Sequence, residues 1–442
     1  MKYCGAVAAF AATVSAFPSF ASTGGKDNLN TAKRAADTIE NLARRAASIP
    51  TAEETNCGPV ACTTFNEQEQ LISIDGKHAW AAPGKTDLRG PCPGLNAAAN
   101  HGYIPRNGVL TIPQTVSGLA DAYGMGADLA AGLAAVAILF LGDLTSLTWS
   151  IGGPQTATPL QTAIFGTTRG LSYSHNSYES DTSIGRPDAY LNGGDSTSLD
   201  LDRFRKAYES GLESDRYTFA GFRPLFVENI DWSIANNPYY FSAQFAGVLV
   251  APAAYNFVLN FMSNRTAKEP SGYLNGAIFK EFFSVTGDYP NFKWTPGHEK
   301  IPANWYRRPS TSRYQLSEAL ADVVANSIRD PSAFRLGGNT NGTNTYVGAD
   351  LSLLTGGAFN SASDLLKGNN LGCFVFQAQT MYLDTNLGLG GVLGSGGILG
   401  AEQLIAQFIT PLTNALGCPQ LTKPWNTSAM AMYPGAGYMP KP

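Results

Sequence analysis

The sequence is poor in charge and carries no concentration of positive charge. Charged side chains make up 14% of the 442 residues, and the formal net charge is −4. Because nucleic acids are bound chiefly through clustered lysine and arginine, a nucleic-acid partner is disfavoured. Two short signatures are also missing. No Gly-x-Ser-x-Gly elbow indicates a hydrolase, and the glycine-rich stretch 388–400 lacks the Gly-Lys-Ser/Thr ending of a phosphate-binding loop.

Long hydrophobic runs are equally scarce. The apolar run 129–141 contains about 13 residues, whereas a membrane-spanning helix needs about 20. We therefore expect a buried core helix at this position and no membrane partner.

The first 21 residues have the pattern of a secretory signal peptide. Lys2 supplies the positive end, residues 6–17 form the apolar stretch, and Val14-Ser15-Ala16 or Ser19-Phe20-Ala21 offers a small-residue cleavage site. We expect residues 1–21 to be removed and the mature protein to be secreted into the extracellular space. Three Asn-x-Ser/Thr glycosylation sequons agree with export, although such triplets also arise by chance; they begin at Asn264, Asn341 and Asn426.

The rest of the chain divides at about residue 76. Apolar residues recur at helical spacing over 27–49, and a polar stretch follows as far as residue 75. Residues 22–75 are thus expected to form a helix and a loop, either packed on the surface or removed as a pro-segment. Residues 76–442 then form one large domain. Strand signals are few, so the predicted class is all-α, with helices expected at 116–141, 200–210, 238–262 and 314–328.

The cysteine count singles out one thiol. Six cysteines are present, and Cys4 would leave with the signal peptide. Five remain, and an odd number in an oxidising compartment leaves at least one unpaired. Cys57 and Cys62 could close a small local loop, and Cys373 and Cys418 could staple the C-terminal region. Cys92 is then the odd thiol.

Cys92 lies in an unusually stiff loop, between Pro91 and Pro93. Each proline fixes its own φ and restricts the residue before it, so the direction of the cysteine side chain is largely preset. A helix beginning near Asn96 would stabilise a thiolate with its N-terminal dipole. The loop could therefore present a sulfur anion to a metal. A buried thiol or half of a disulfide is the alternative.

The residues around Cys92 strongly resemble a motif of the fungal haem-thiolate peroxidases, the chloroperoxidase and unspecific peroxygenase family. The matching stretches are Asp87-Leu88-Arg89-Gly90-Pro91-Cys92-Pro93-Gly94-Leu95-Asn96 and Asn100-His101-Gly102-Tyr103-Ile104-Pro105-Arg106-Asn107-Gly108. The resemblance implies a mainly helical, chloroperoxidase-like fold with haem b as cofactor. It makes Cys92 the proximal ligand of the haem iron. The similarity extends from about residue 78 to residue 418.

A second matching segment implies a Mg²⁺ site. The segment Glu179-Ser180-Asp181-Thr182-Ser183 resembles the Glu-Gly-Asp pattern of the longer peroxygenases, with serine in place of glycine. In that family the cation lies beside a haem propionate. The ligands carried over are the Glu179 carboxylate, the Ser180 carbonyl and the Ser183 hydroxyl, all hard oxygen donors that suit Mg²⁺. From residues alone, this segment also fits a plain solvated loop. The resemblance further implies a Cys373–Cys418 disulfide.

The distal half of the family's site is not evident in the sequence. The longer peroxygenases place an Arg and then a Glu on a distal helix, and the Glu transfers the proton of peroxide. Aligning that helix from Asn237-Pro238 places Ala246 and Ala253 at these positions. No acidic or basic residue occurs over 239–264. No distal catalytic residue is therefore assigned, although Glu228 or Asp231 could reach the pocket from elsewhere. His175 is either a distal acid–base group or, as the sequence favours, a structural histidine.

These features lead to a functional hypothesis. We expect a secreted haem-thiolate enzyme that uses hydrogen peroxide to oxidise or oxygenate small hydrophobic or aromatic organic substrates. The alternatives are a haem peroxidase or haloperoxidase, and a haem-binding protein in which peroxide activation is weak or lost. The missing distal Glu is the feature that separates these alternatives.

Overall fold

Helices account for most of the regular structure. We describe a computed structural model, in which residues 62–386, 409–418 and 426–442 are described together with 55–58 and a few positions near residue 40. The signal peptide, most of the 27–49 helix and the stretch 388–400 lie outside the described residues. The described helices are α1 Glu67–Gln70, α2 Pro93–Asn100, α3 Ile112–Tyr123, α4 Ala127–Leu141, α5 Pro159–Phe165, α6 Leu201–Glu209, α7 Phe219–Asn236, α8 Ala251–Met262, α9 Gly276–Phe282, α10 Leu316–Arg329, α11 Leu351–Thr355, α12 Ala362–Leu365, α13 Asn370–Asn386 and α14 Thr410–Ala415.

The strands are short and antiparallel, which confirms the mainly helical class expected from the sequence. Each strand spans two or three residues, and they form two two-stranded pairs and one three-stranded sheet ordered β3-β6-β7. The pairs are β1 with β2 and β4 with β5. The strands are β1 Val109–Thr111, β2 Thr148–Ser150, β3 Phe241–Ser242, β4 Val285–Thr286, β5 Lys293–Trp294, β6 Gly337–Asn339 and β7 Tyr346–Gly348.

The expected helical tract 116–141 is two helices, α3 and α4, joined at Gly124. Gly124 adopts a left-handed conformation (φ 73°) and ends α3. A Cβ atom at this position would lie 2.6 Å from the carbonyl oxygen of Arg308, so only glycine fits. The apolar run beyond residue 128 forms α4 and is largely buried, as expected. Among the described residues, no helix is long and apolar enough to cross a membrane.

The helix predicted at 238–262 begins much later than expected. Phe241 and Ser242 pair with Gly338 and Gly337 as part of the three-stranded sheet, so tertiary pairing overrides the helical pattern there. A π-helical turn over Ala246–Val250 follows, and α8 begins at Ala251. The Asn237-Pro238 alignment start was therefore wrong as a helix start, because Asn237 ends α7.

Helix α7, over Phe219–Asn236, was not predicted. Thr218 caps it by accepting a hydrogen bond from the Gly221 amide. Phe222, Phe226 and Ile230 are buried on one face at four-residue spacing. Those three residues and the capping threonine were the sequence signals that could have located the helix.

The described part of the N-terminal region is built into the fold. Cys57 and Cys62 form a disulfide, and both are almost fully buried. The side-chain amide of Asn56 donates to the Tyr217 carbonyl at 3.1 Å and to Ser263 Oγ at 2.8 Å. These contacts fasten the segment next to α8.

A second disulfide joins Cys373 on α13 to Cys418. This is the pairing that the family resemblance implies for the C-terminal region. It fastens α13 to the segment that follows α14, across 45 residues of chain. Cys92 is the only cysteine without a disulfide among the described residues.

Candidate functional site

Cys92 caps the start of α2 and faces an internal cavity. The helix begins at Pro93, three residues earlier than the sequence indicated, and the Asn96 amide donates to the Cys92 carbonyl at 3.1 Å. Burial raises the pKa of the Cys92 thiol, whereas hydrogen bonds from the Leu95 and Gly94 amides and the guanidinium of Arg186 lower it. Amide donors at a helix start stabilise a bound thiolate.

The cysteine loop is held by a set of buried hydrogen bonds. Asn96 Nδ2 donates to the Gly90 carbonyl at 2.9 Å, and the Gly90 amide donates to Asn96 Oδ1 at 3.0 Å. Gly90 packs so closely that a Cβ atom would lie 1.9 Å from the Ile151 carbonyl oxygen. Tyr123 also secures the loop, because its hydroxyl donates to the Gly94 carbonyl at 2.6 Å. Sequence reasoning missed Tyr123, since nothing local indicates that α3 packs against the loop.

The cavity beside Cys92 has a volume of about 170 Å³ and is nearly apolar. Helix α8 contributes Ala253, Phe257 and Phe261, and α4 contributes Leu129 and Leu133. Among the described residues that line the cavity, only Glu179 and Arg186 are charged. A flat apolar group with two carboxylate arms, such as haem, needs apolar walls and a polar edge. The cavity offers both, with a thiol in its wall.

The charged edge contains buried groups that lack partners. Oε1 of Glu179 and Nε of Arg186 have no hydrogen-bond partner among the described residues. Burial raises the pKa of Glu179 to about 7, although the Ser183 hydroxyl, Arg186 and the Ser180 amide oppose the shift. Ser183 Oγ donates to the Ser180 carbonyl at 3.0 Å. The three predicted Mg²⁺ ligands thus lie together, at the cavity edge.

An all-side-chain metal cluster is not present in the described part of the chain, where no three His, Cys, Asp or Glu residues converge. The predicted set includes only one carboxylate, with a backbone carbonyl and a hydroxyl as its other donors. The unpartnered Glu179 oxygen is the feature that fits a cation at this edge, because a buried carboxylate is costly unless a charge compensates it.

Asp181 anchors the segment that forms the charged edge through buried hydrogen bonds. Asn237 Nδ2 donates at 3.0 Å to both Asp181 and Asp188, and the Ala189 amide donates to Asp181 Oδ1 at 3.0 Å. Asp188 in turn pairs with Arg203 at 2.5 Å, and both side chains are buried. This network connects the 179–189 segment to α6 and to the end of α7. Burial and Asp188 raise the pKa of Asp181 well above its ordinary value.

The cavity wall formed by α8 carries no acid or base. Ala253 lines the cavity, whereas Ala246 is buried outside its lining. Glu228 is exposed on α7, and exposed Asp231 lies 3.6 Å from Arg335. His175 lines a separate cavity, and burial lowers the pKa of its ring to about 4. None of the three alternatives is therefore placed in the wall beside Cys92.

The three glycosylation sequons differ in their surroundings. The Asn264 side chain is occupied by hydrogen bonds within the fold. It donates to the Tyr273 hydroxyl and accepts from the Tyr306 backbone amide. Asn426 accepts from the Ala429 amide at the start of a short helical turn. Asn341 is exposed. The geometry therefore favours Asn341 as the acceptor.

The chain is similar to several known proteins. The family model described as peroxidase, family 2, matches residues 78–310. A dothistromin biosynthesis peroxidase of Dothistroma septosporum is 37% identical over 373 residues, covering 84% of this chain and 87% of the relative. An aromatic peroxidase of Fusarium equiseti is 36% identical over 321 residues, covering 71% and 72%. An aromatic peroxygenase of Cyclocybe aegerita is 30% identical over 307 residues, covering 68% and 72%.

The family match spans the cysteine loop, α4, the Glu179 segment and α8, all of which line the cavity. The chain therefore belongs to peroxidase family 2, the fungal haem-thiolate peroxidases, and is an oxidoreductase of the peroxidase kind.

Proposed function

We propose that the protein uses hydrogen peroxide to oxidise or oxygenate hydrophobic, aromatic organic molecules at a haem b bound through Cys92. The observation that carries this proposal is the position of Cys92, an unpaired thiol in the wall of an apolar cavity with one charged edge. The names of two relatives, an aromatic peroxidase and an aromatic peroxygenase, support the substrate class.

The haem would supply the peroxide chemistry, and thiolate ligation favours cleavage of the O–O bond. The protein's own residues would hold the thiolate ligand and exclude water. Amides at the start of α2 stabilise the thiolate, and Asn96 and Tyr123 hold its loop in place. Phe257, Phe261 and neighbouring apolar side chains exclude water and favour an apolar substrate.

We also propose a Mg²⁺ ion at the charged edge, held by Glu179, the Ser180 carbonyl and Ser183. The ion would compensate the buried Glu179 charge, and Arg186 would face the second charged group of the cofactor. Support comes from the unpartnered Glu179 and Arg186 atoms and from the clustering of the three oxygen donors.

The α8 wall of the cavity carries no acid or base, and this favours a second candidate function, in which peroxide activation is weak. Without an acid or base on α8, proton transfer would depend on water or the substrate, which costs roughly 10² to 10⁴ in rate. Haem binding would persist, and the protein would act as a slow peroxygenase, a peroxidase or haloperoxidase, or a haem-binding protein.

A spectroscopic experiment tests the haem assignment. The purified protein is reduced and exposed to CO, and a red-shifted Soret band is expected from thiolate-ligated haem. Cys92→Ala is expected to abolish this band, while Met125→Leu, another residue lining the cavity, keeps it. A histidine-type spectrum, or no haem, would refute the assignment. Peroxide is then added with aromatic substrates, and oxygenated products separate the enzyme from the haem-binding alternative.

Secretion is also a proposal. It is supported by the signal-like residues 1–21, by the two disulfides and by the exposed Asn341 sequon. Sequencing the N-terminus of protein recovered from culture medium tests it. Recovery only from cells, with residues 1–21 retained, would contradict it.

A further inference from the structure

Three tyrosines form an aromatic cluster at the surface, away from the haem cavity. The rings of Tyr190 and Tyr239 are stacked with their centroids 4.2 Å apart. Tyr438 lies edge-on to Tyr190 at 5.4 Å and tilted against Tyr239 at 5.7 Å. Tyr190 is 38% exposed and the other two are half-buried. We call Tyr190, Tyr239 and Tyr438 the tyrosine cluster.

His175 connects this cluster to the cavity. Its ring lies 5.9 Å from that of Tyr438, in an edge-to-face arrangement. The chain then turns tightly back, because the Asn176 amide donates to the Glu179 carbonyl at 2.7 Å. Glu179 and Tyr178 both line the haem cavity. Only one short turn therefore separates the buried His175 ring from the cavity wall.

The histidine in this path is not explained by the local packing. It is 1% exposed, and both ring nitrogens lack a hydrogen-bond partner among the described residues. Asp181 lies 3.7 Å from Nδ1, outside hydrogen-bonding distance. A buried polar ring without a protein partner carries a cost, and this ring lies between Tyr438 and the segment that lines the cavity.

Two hydrogen bonds hold the C-terminal segment that carries Tyr438 against the domain. Asn176 Nδ2 donates to the Gly435 carbonyl at 2.7 Å, and Arg169 Nη2 donates to the Pro440 carbonyl at 2.5 Å. The C-terminal segment that carries Tyr438 is thus fastened on both sides of the ring.

We propose that the tyrosine cluster is a second oxidation site, where phenols too bulky to enter the cavity are oxidised by one electron. The electron would pass from the phenol through Tyr190 or Tyr239, Tyr438 and His175 towards the haem. This inference rests on the proposed haem-dependent function and extends it to substrates that stay outside the protein.

The reaction balances with peroxide as the only oxidant. Each phenol loses one electron and its hydroxyl proton and leaves as a phenoxyl radical. The electron restores a tyrosine that has itself lost an electron and a proton. One hydrogen peroxide takes up two electrons and two protons and becomes two waters, so two phenols are oxidised for each peroxide.

Tyrosine-to-phenylalanine variants separate this role from packing. A phenylalanine keeps the ring contacts that hold the C-terminal segment but cannot form a phenoxyl radical. Tyr190→Phe and Tyr438→Phe are the test variants. Tyr289→Phe is the matched control, because Tyr289 is 39% exposed and its ring contacts among the described residues are with Tyr208 and Phe292, in another aromatic group.

The test uses the haem-loaded enzyme with peroxide and the phenol tyramine, either free or coupled to agarose beads. The wild type and Tyr289→Phe are expected to oxidise the bead-bound phenol. Freeze-quenched samples should show a tyrosyl radical by electron paramagnetic resonance. Tyr438→Phe is expected to lose bead-bound oxidation and the surface radical signal. Tyr190→Phe is expected to reduce bead-bound oxidation, because Tyr239 also contacts Tyr438.

Several results would overturn the inference. Bead-bound oxidation that is absent in the wild type, or unchanged in both test variants, would refute the second site. If small aromatic substrates are still oxygenated in that case, the proposed function stands and only this inference fails. A protein without haem would overturn both.

Discussion

Asn96 ties the cysteine loop to Glu299, a residue 203 positions further along the chain. Asn96 Nδ2 lies 2.9 Å from Glu299 Oε1, and all atoms involved are buried. The same amide also pairs with both backbone groups of Gly90. Burial raises the pKa of Glu299, and the Asn96 hydrogen bond opposes this shift. The Asn96 side chain therefore joins the loop that carries Cys92 to a distant segment of the chain.

Replacing Asn96 by alanine is expected to loosen this loop. The change leaves buried groups of Gly90 and Glu299 without partners, at a cost on the order of 2 kcal/mol in the free energy of unfolding. We also expect lower haem occupancy, measured by absorbance per protein. Asn236→Ala is the control, since the hydrogen bond that this side chain makes among the described residues is to the exposed Trp232 carbonyl. Equal losses in the two variants would show that Asn96 has no special role.

Replacing Glu179 by glutamine is expected to remove the proposed Mg²⁺. Glutamine has nearly the same size as glutamate but is neutral, so it cannot compensate the charge of a divalent cation. Metal analysis after extensive dialysis should find Mg²⁺ in the wild type and in Glu281→Gln, a change on the exposed side of α9. An unchanged Mg²⁺ content in Glu179→Gln would show that the ion, if present, binds elsewhere.

The N-terminal boundary can be tested by truncation. Arg265 Nη2 donates to the Asn56 carbonyl at 3.3 Å, and Arg308 Nη1 donates to the Cys57 carbonyl at 3.2 Å. Both arginines are fully buried. A chain that begins at residue 63 is expected to lose about 3 kcal/mol of stability, because these charges lose partners.

A chain that begins at residue 50 is the control for this truncation, and we expect it to unfold like the full chain. Denaturant unfolding monitored by fluorescence measures the free energy of unfolding of both truncated chains. If the two truncated chains are equally stable, the segment 55–62 is dispensable to the fold.

The sequence identified the parts of the site that are contiguous in the chain. The Cys92 loop and the Glu179 segment are short motifs whose resemblance to those of a known family is visible in the sequence, whereas the residue types of the Glu179 segment alone also fit a plain solvated loop. The Asn96–Glu299 contact could not be predicted, because it joins distant segments. The start of α8 was missed because Phe241 pairs with Gly338, and no local sequence pattern predicts a pairing between such distant residues. Fold class was predicted correctly, because helical periodicity dominates.

Stability is expected to fall as pH rises from about 4 to about 7. Burial raises the pKa of Asp322 to about 7, although the Tyr314 hydroxyl, which donates to it at 2.5 Å, opposes this shift. An unfolded aspartate titrates near 3.9. The folded state therefore favours the protonated acid, so its stabilising contribution is complete below about pH 4 and is lost as pH approaches about 7.

Asp322→Asn should flatten this pH dependence, because the amide does not titrate. Part of the slope is expected to remain, since burial also raises the pKa of Glu318 to about 7. Thermal unfolding between pH 4 and 8 measures the effect, with the exposed Asp288→Asn as control. A wild-type slope in Asp322→Asn would mean that Asp322 is already ionised in the folded protein at low pH.

The last prediction concerns the α8 wall of the cavity. Ala253 lines the cavity but has no group that can transfer a proton. Ala253→Glu would place an acid there, and positioned acid–base groups contribute roughly 10² to 10⁴ in rate. We expect faster peroxide turnover, measured by stopped-flow absorbance of the haem.

Ala253→Gln is the matched control, because glutamine fills the same space without titrating. A gain in Ala253→Glu alone would show that the wild-type cavity lacks an efficient proton-transfer group. Equal rates in both variants would mean that residue 253 is misplaced for peroxide, or that another group already transfers the proton. The haem assignment would stand in either case, because it depends on Cys92 and not on α8.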